Sequence, residues 1–196
     1  MNNEELQKTK YCSFESQNPH WVEGQERYLH LKFKDVDRDA CILDAACGDG
    51  VGLKVFKEMG FKNVVGIEFN PVKAAKAREY EYLILENNLE FKNDYACNSI
   101  IPVDICYSSH TLEHLEDPAF AIQYFKKSLK HGYMLIVLPY PDTGPDDAHC
   151  GKFALGTNIN DEGKTVCEFF EKQGLKILEK EFDSFREPEI WLKLSL

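Results

Sequence analysis

Along the chain, short apolar runs alternate with segments in which apolar residues recur every three or four positions, the pattern of strands alternating with amphipathic helices. Between Asn18 and Lys34, Trp21, Val22, Tyr28, Leu29 and Leu31 are spread among polar residues, which predicts a helix laid on a core by one face. Cys41 to Ala46 is a short strand-like run broken by Asp44 and ended by Gly48-Asp49-Gly50; Leu53, Phe56 and Met59 then fall at helical spacing before a cap at Gly60. Val64 to Phe69 repeats the strand, and Pro71 opens a second helix expected to carry Val72, Ala75, Tyr80 and Leu83 up to the polar turn Glu86-Asn87-Asn88. Leu89 to Lys92 reads as a weak third strand ending near Asp94, and Val103 to Ser108 as a stronger fourth. Pro118 to Leu129 is a helix whose last turn gathers Lys126, Lys127, Lys130 and His131; Gly132 stops it, and Tyr133 to Leu138 is the fifth strand.

Residues 139–160 hold three prolines and three glycines without periodicity, a length that in a compact domain implies service to a site, so a lid or specificity loop is expected. Asp161 to Gln173 buries Val166, Phe169 and Phe170, and Leu175 to Leu196 reads as two strands hinged near Arg186-Glu187-Pro188. The elements add up to an α/β fold: a Rossmann-like open, mostly parallel seven-stranded sheet with helices on both faces and an antiparallel last strand. One domain is expected over 1–196, divided into a helical cap (1–38), a cofactor-binding half (39–138), the lid (139–160) and a C-terminal helix with a strand pair (161–196).

Composition narrows the partners. The 43% hydrophobic content is that of an ordinary globular domain; no stretch is long and apolar enough to cross a bilayer, and the polar start lacks a leader-like run. Seven cysteines without a Cys-x-x-Cys pair fit neither a disulfide framework nor a zinc ribbon, so reduced thiols and a cytoplasmic location are expected. The net charge of −10 repels a polyphosphate backbone, which disfavours nucleic acid and leaves a small molecule as the expected partner. The oligomeric state, a homodimer included, is left open.

In open α/β sheets ligands bind beyond the carboxyl ends of the strands, and those ends are polar here. After the first strand, Gly48 and Gly50 let the main chain approach a ligand closely. The second strand ends in Glu68, 20 residues beyond Gly48 and suited to accept hydrogen bonds from both hydroxyls of a ribose. These features suit any adenosine cofactor. A nicotinamide dinucleotide is weakened because Leu53 stands where the third glycine of its fingerprint belongs.

At these residues the sequence resembles the class I S-adenosylmethionine-dependent methyltransferases. The resemblance is to the small-molecule group that reads acid-x-Gly-Cys-Gly-x-Gly, then Gly-Ile-Asp/Glu, then an acid, then Leu-Glu-His-Leu-x-Asp-Pro. The matching segments are Asp44 to Gly50, Gly66-Ile67-Glu68, and Val103 to Pro118 with its Leu112-Glu113-His114-Leu115-Glu116-Asp117-Pro118, all within Cys41 to Pro139. The resemblance implies S-adenosylmethionine as cofactor. It sets Asp44 and the turn from Gly48 to Gly50 around the methionine part, Glu68 at the ribose, Asp94 at the adenine amino group and Ser109 beside the sulfonium, with Ala46, Phe69 and Tyr95 as further cofactor-binding positions. Ala46 departs from the family, which has a glycine there, and a more open turn is expected.

A sulfonium methyl is already activated, so the protein has to align an acceptor and remove its proton. Candidate bases are His149, His110 and His114, with Asp146 and Asp147 in the same loop as His149. His110, Glu113 and His114 also raise a chelated metal, but the segment begins at a strand end rather than inside a helix, and none is expected. Tyr11, Phe14, His20 and Trp21 either close over the sulfonium or simply pack the first helix. The resemblance implies methyl transfer to a small polar acceptor, a sugar or sugar nucleotide of surface-polysaccharide synthesis being the leading expectation. An amine, a phosphorylated metabolite or a catalytically idle scaffold is the alternative.

Overall fold

The structure, a computed structural model, describes residues 14–89, 100–141 and 160–196. The strands are β1 (Cys41–Ala45), β2 (Asn63–Glu68), β3 (Leu83–Glu86), β4 (Val103–Ser109), β5 (Leu129–Pro139), β6 (Lys176–Asp183) and β7 (Glu189–Ser195). They form one sheet in the order β3-β2-β1-β4-β5-β7-β6. Neighbours from β3 to β5 pair in parallel, and β7 runs antiparallel to both β5 and β6. This is the expected open sheet with an antiparallel last strand.

Helices α1 (Pro19–Phe33), α2 (Val51–Glu58), α3 (Pro71–Ala77), α4 (Pro118–Ser128) and α5 (Lys164–Lys172) complete the described fold. α1 starts where Asn18 accepts a hydrogen bond from the Trp21 N–H and Pro19 takes the first position, where a missing N–H costs nothing. Its Tyr28, Leu29 and Phe33 share one core layer with Leu53, Val55 and Phe56 of α2 and with Ala74 and Ala77 of α3. Ala121, Ile122 and Phe125 of α4 and Val166 and Phe170 of α5 form the other layer. β1, central and covered on both faces, buries Ile42, Leu43 and Ala45 completely, as a parallel strand between two helix layers must.

Two elements differ from the sequence expectation. The helix after β2 ends at Ala77, passes through a 3₁₀ turn at Arg78–Tyr80, and gives way to β3, so Leu83 belongs to a strand. Its buried face is Lys73, Ala74 and Ala77, while Val72 points outward at 62% exposure. β3 therefore ends at Glu86, and the expected strand end at Asp94 lies outside the described residues. The second difference follows α4: Lys130 and His131 lie in β5, which begins directly at Leu129, and Gly132 is inside the strand. A Cβ there would stand 1.5 Å from the Asp104 carbonyl oxygen, so glycine permits the irregular β4–β5 pairing between Val103 and Ile105.

Candidate active site

β1 pairs with β2 on one side and β4 on the other, so the strand order reverses between β1 and β4, and a crevice opens at their carboxyl ends. A cavity of about 440 Å³ occupies it, within the usual size range of small-molecule sites. Ala46 and Gly48 from the turn after β1, Glu68 and Phe69 from the end of β2, and His110, Glu113 and His114 from beyond β4 all border it. A recess of about 80 Å³ behind it is bordered by Asp44, Asp49 and Ser109, sharing Glu15, Ala46, Gly48, Trp21 and His110 with the main cavity.

The turn after β1 is built on left-handed backbone. Gly48 has φ +57°, and Ala46, where the family keeps glycine, also stands at φ 61°, a geometry costly for a residue with a Cβ. Gly50 (φ +97°) caps α2, and a Cβ there would stand 2.7 Å from the Tyr80 ring and 3.2 Å from the Ala77 Cα. Of the two glycines, only Gly48 borders the cavities.

Glu68 is 4% exposed. Its oxygens accept from the Gly48 N–H at 3.0 Å and the Asn70 N–H at 2.8 Å. Burial pushes its carboxyl above the ordinary range, against those N–H groups and nearby Lys73. Asp44 is pushed up to about 7, first by burial and then by the charge of Glu68. Asp44 Oδ2 is buried with no hydrogen-bond partner among the described residues.

On the far side, β7 brings charged groups to the segment after β4. His110 Nε2 lies 2.9 Å from Glu189 Oε2, and Nδ1 lies 3.0 Å from Glu187 and 3.5 Å from Glu113. Burial alone would lower the His110 pKa, but the hydrogen bonds to Glu187 and Glu189 and the Glu113 charge outweigh it, raising it to about 8. Glu187 is lowered by its bond to His110; at Glu189 burial is outweighed by His110 and Arg186. Arg186, itself 1% exposed, donates to Glu189 at 2.8 Å and lies 4.4 Å from the Trp21 ring, whose edge meets His110. His114 is more open, with Nε2 3.7 Å from Glu113 Oε1.

Asp44, Ala46, Gly48, Glu68, Phe69, Ser109, His110 and His114 are thus brought to one crevice, with Phe14 and Trp21 on its wall. Asp94, Tyr95, Asp146, Asp147, His149 and Tyr11 lie outside the described residues. Sequence reasoning missed Glu15, Lys73, Asn87, Asn88 and Glu187, which also border the cavity. For Asn87 the signal was present, since Leu83-Ile84-Leu85 followed by Glu86-Asn87-Asn88 is itself an apolar run closed by a polar turn. No group of three or more His, Cys, Asp or Glu among the described residues has the arrangement of a metal site. No described helix is long and apolar enough to cross a membrane.

A doubly wound sheet with an acid-lined crevice at its switch point defines a protein that binds a nucleoside-type cofactor. Residues 20–182 match a family described as a methyltransferase domain, and the chain belongs to that family. It is a class I S-adenosylmethionine-dependent methyltransferase, as the resemblance of its motifs implied. No curated protein matches the sequence. Among solved structures, an S-adenosylmethionine-dependent methyltransferase of Aquifex aeolicus is 15% identical with a TM-score of 0.65, over 99% of this chain and 98% of that one. A magnesium protoporphyrin IX methyltransferase of Synechocystis PCC 6803, solved with bound S-adenosylmethionine, is 11% identical with a TM-score of 0.64, over 89% and 79%. The [4+2]-cyclase SpnF, 14% identical with a TM-score of 0.65 over 86% and 79%, has the same fold under a different reaction name, so these likenesses speak to the fold alone.

Proposed function

We propose that the chain binds S-adenosylmethionine in the crevice and moves its methyl group to a small polar acceptor entering beside His110 and His114. The observation that carries this reading is the charge of the lining. Glu15, Asp44, Asp49 and Glu68 gather at one end, and Lys73 is the only lysine or arginine among the described lining residues. Such a wall attracts a ligand carrying a sulfonium and an ammonium and repels a pyrophosphate, which argues against a nicotinamide dinucleotide. The unpartnered Asp44 Oδ2 supports the fit, because a buried carboxylate oxygen calls for a donor.

The cofactor supplies an electrophilic methyl group; the chain binds, orients, excludes water and takes a proton. Glu68 accepts the ribose hydroxyls on the lone pairs its two N–H donors leave, Gly48 lets the backbone approach, and Ala46 and Phe69 form apolar wall. Asn87, closing β3, offers an amide to the adenine side beside the expected Asp94 and Tyr95. His110, with carboxylates at both nitrogens, acts as a fixed donor rather than a base at neutral pH. His114 takes the acceptor's proton with Glu113 behind it, and His149 is the alternative from the expected lid. Glu113 and Glu187 at this end disfavour a diphosphate, so free sugars and amines come before sugar nucleotides and phosphorylated metabolites in an acceptor panel.

Calorimetry with S-adenosylhomocysteine is expected to give saturable binding; no heat at millimolar ligand would overturn the cofactor reading. Glu68→Ala is expected to bind roughly tenfold or more weakly, since it loses two charge-assisted hydrogen bonds, with an unchanged circular dichroism spectrum. Unchanged affinity would remove Glu68 from the ribose site. Cofactor binding without turnover of any acceptor in the panel would favour the scaffold reading.

A further inference from the structure

The recess of about 80 Å³ behind the main cavity has two buried carboxylate oxygens on its border without a hydrogen-bond partner among the described residues, Asp44 Oδ2 and Glu15 Oε2. Asp44 is 3% exposed. Glu15 Oε2 lies over the glycine turn, 3.0 Å from where a Cβ on Gly48 would stand. The other oxygen of Glu15 accepts from Lys73 Nζ at 2.5 Å. Next to it, Ser16 donates its N–H at 3.1 Å and its hydroxyl to Asp49, which pins the short 3₁₀ turn Glu15–Gln17 onto the loop after β1.

We propose that Glu15 is a binding residue for the amino-acid end of the cofactor, its unpartnered oxygen and that of Asp44 together receiving the α-ammonium group. The proposal rests on the S-adenosylmethionine reading above. An ammonium brings three donors and no acceptor, which matches a recess whose two orphan groups are both acceptors. The Asp49 carboxyl also stands against that of Glu15 on the same recess, and acids packed together out of water are destabilising unless a cation joins them. The turn that carries Glu15 precedes α1 and is far in sequence from the strand-end motifs, so the N-terminal segment becomes part of the cofactor site rather than a cover over it.

Two ligands separate this role from a structural one. S-adenosylhomocysteine carries the ammonium, whereas 5′-methylthioadenosine keeps the nucleoside and the thioether sulfur without the amino-acid end. Calorimetry on the full chain should show both binding to the wild type, with Glu15→Gln weakening S-adenosylhomocysteine roughly tenfold or more and methylthioadenosine by no more than about twofold. Lys73→Met, which breaks the same ion pair but keeps both acceptor oxygens of the Glu15 carboxyl, should retain the wild-type ratio of the two affinities. Unchanged or tighter S-adenosylhomocysteine binding in Glu15→Gln overturns the proposal, as does an equal fall of that ratio in Lys73→Met. Should Glu15→Gln fail to fold, the ratio is read in Glu15→Asp, whose shorter side chain must lower it; an unchanged ratio overturns the proposal. A wild type that binds neither ligand overturns the cofactor reading itself.

Discussion

His110 presents one ring nitrogen to Glu189 at 2.9 Å and the other to Glu187 at 3.0 Å, an arrangement that keeps both N–H groups in place. With its pKa raised to about 8, it holds its proton at neutral pH and is a poor base there. His114 borders the same cavity, is 18% exposed against 8% for His110, and has Nε2 3.7 Å from Glu113 Oε1. His114→Asn is therefore expected to lower turnover by roughly 10²–10⁴ while S-adenosylhomocysteine affinity stays unchanged. Single-turnover rates and calorimetry on the same preparation check this; wild-type rates in the variant across about pH 6 to 9 would move the role to His149. At this scale the strand-end residues Asp44, Glu68 and His114 were legible because each follows an apolar run within a few positions. Glu189 was not, since it meets His110 across 79 residues of sequence.

At the scale of elements, short apolar runs are ambiguous between helix and strand, and β3 is where that ambiguity took effect. Tyr80 and Leu83 continue the helical spacing of α3, but the chain leaves the helix at Ala77 and the next apolar residues pair with β2, Val65 opposite Leu83. Pairing with an existing strand edge outweighed local periodicity. The junction between α4 and β5 has a different cause: no loop separates them, and the first residues of β5 reach β4 only because Gly132 lets the Asp104 carbonyl approach. Gly132→Ala should destabilise the fold by about 3 kcal/mol, because the added methyl would overlap that oxygen and the β4 backbone must shift. Urea denaturation is expected to show a lower midpoint with an unchanged slope. A midpoint equal to wild type would mean that the β4–β5 pairing is looser than the geometry indicates.

Over the whole molecule, buried carboxylates collected at one edge make stability depend on pH. Asp44, pushed up to about 7, and Glu15 and Glu68, also raised, keep protons in the folded chain that the unfolded chain releases above about pH 4. By linkage, stability then falls as pH climbs from about 4 to about 7. His110 adds to the trend: its contribution is full below its ordinary 6.5 and is lost as pH rises through about 8. Glu187 and Glu189, lowered in the fold, act oppositely and lose their contribution only as pH falls below the ordinary carboxylate range. The urea midpoint should accordingly be higher near pH 5 than near pH 8, and Asp44→Asn should flatten the difference. A midpoint that rises between those values would contradict the buried-acid account. The alternation of strands and helices, the glycine turn with Glu68 beyond it, and the family were determined by sequence alone, because periodicity and turn chemistry are local. Only the tertiary structure decided that β7 enters between β5 and β6 and carries Glu187 and Glu189 to His110, and that Glu15 settles over Gly48. Those meetings follow from which strand edges and helix faces remain to be covered once the rest has packed, and no local pattern encodes that.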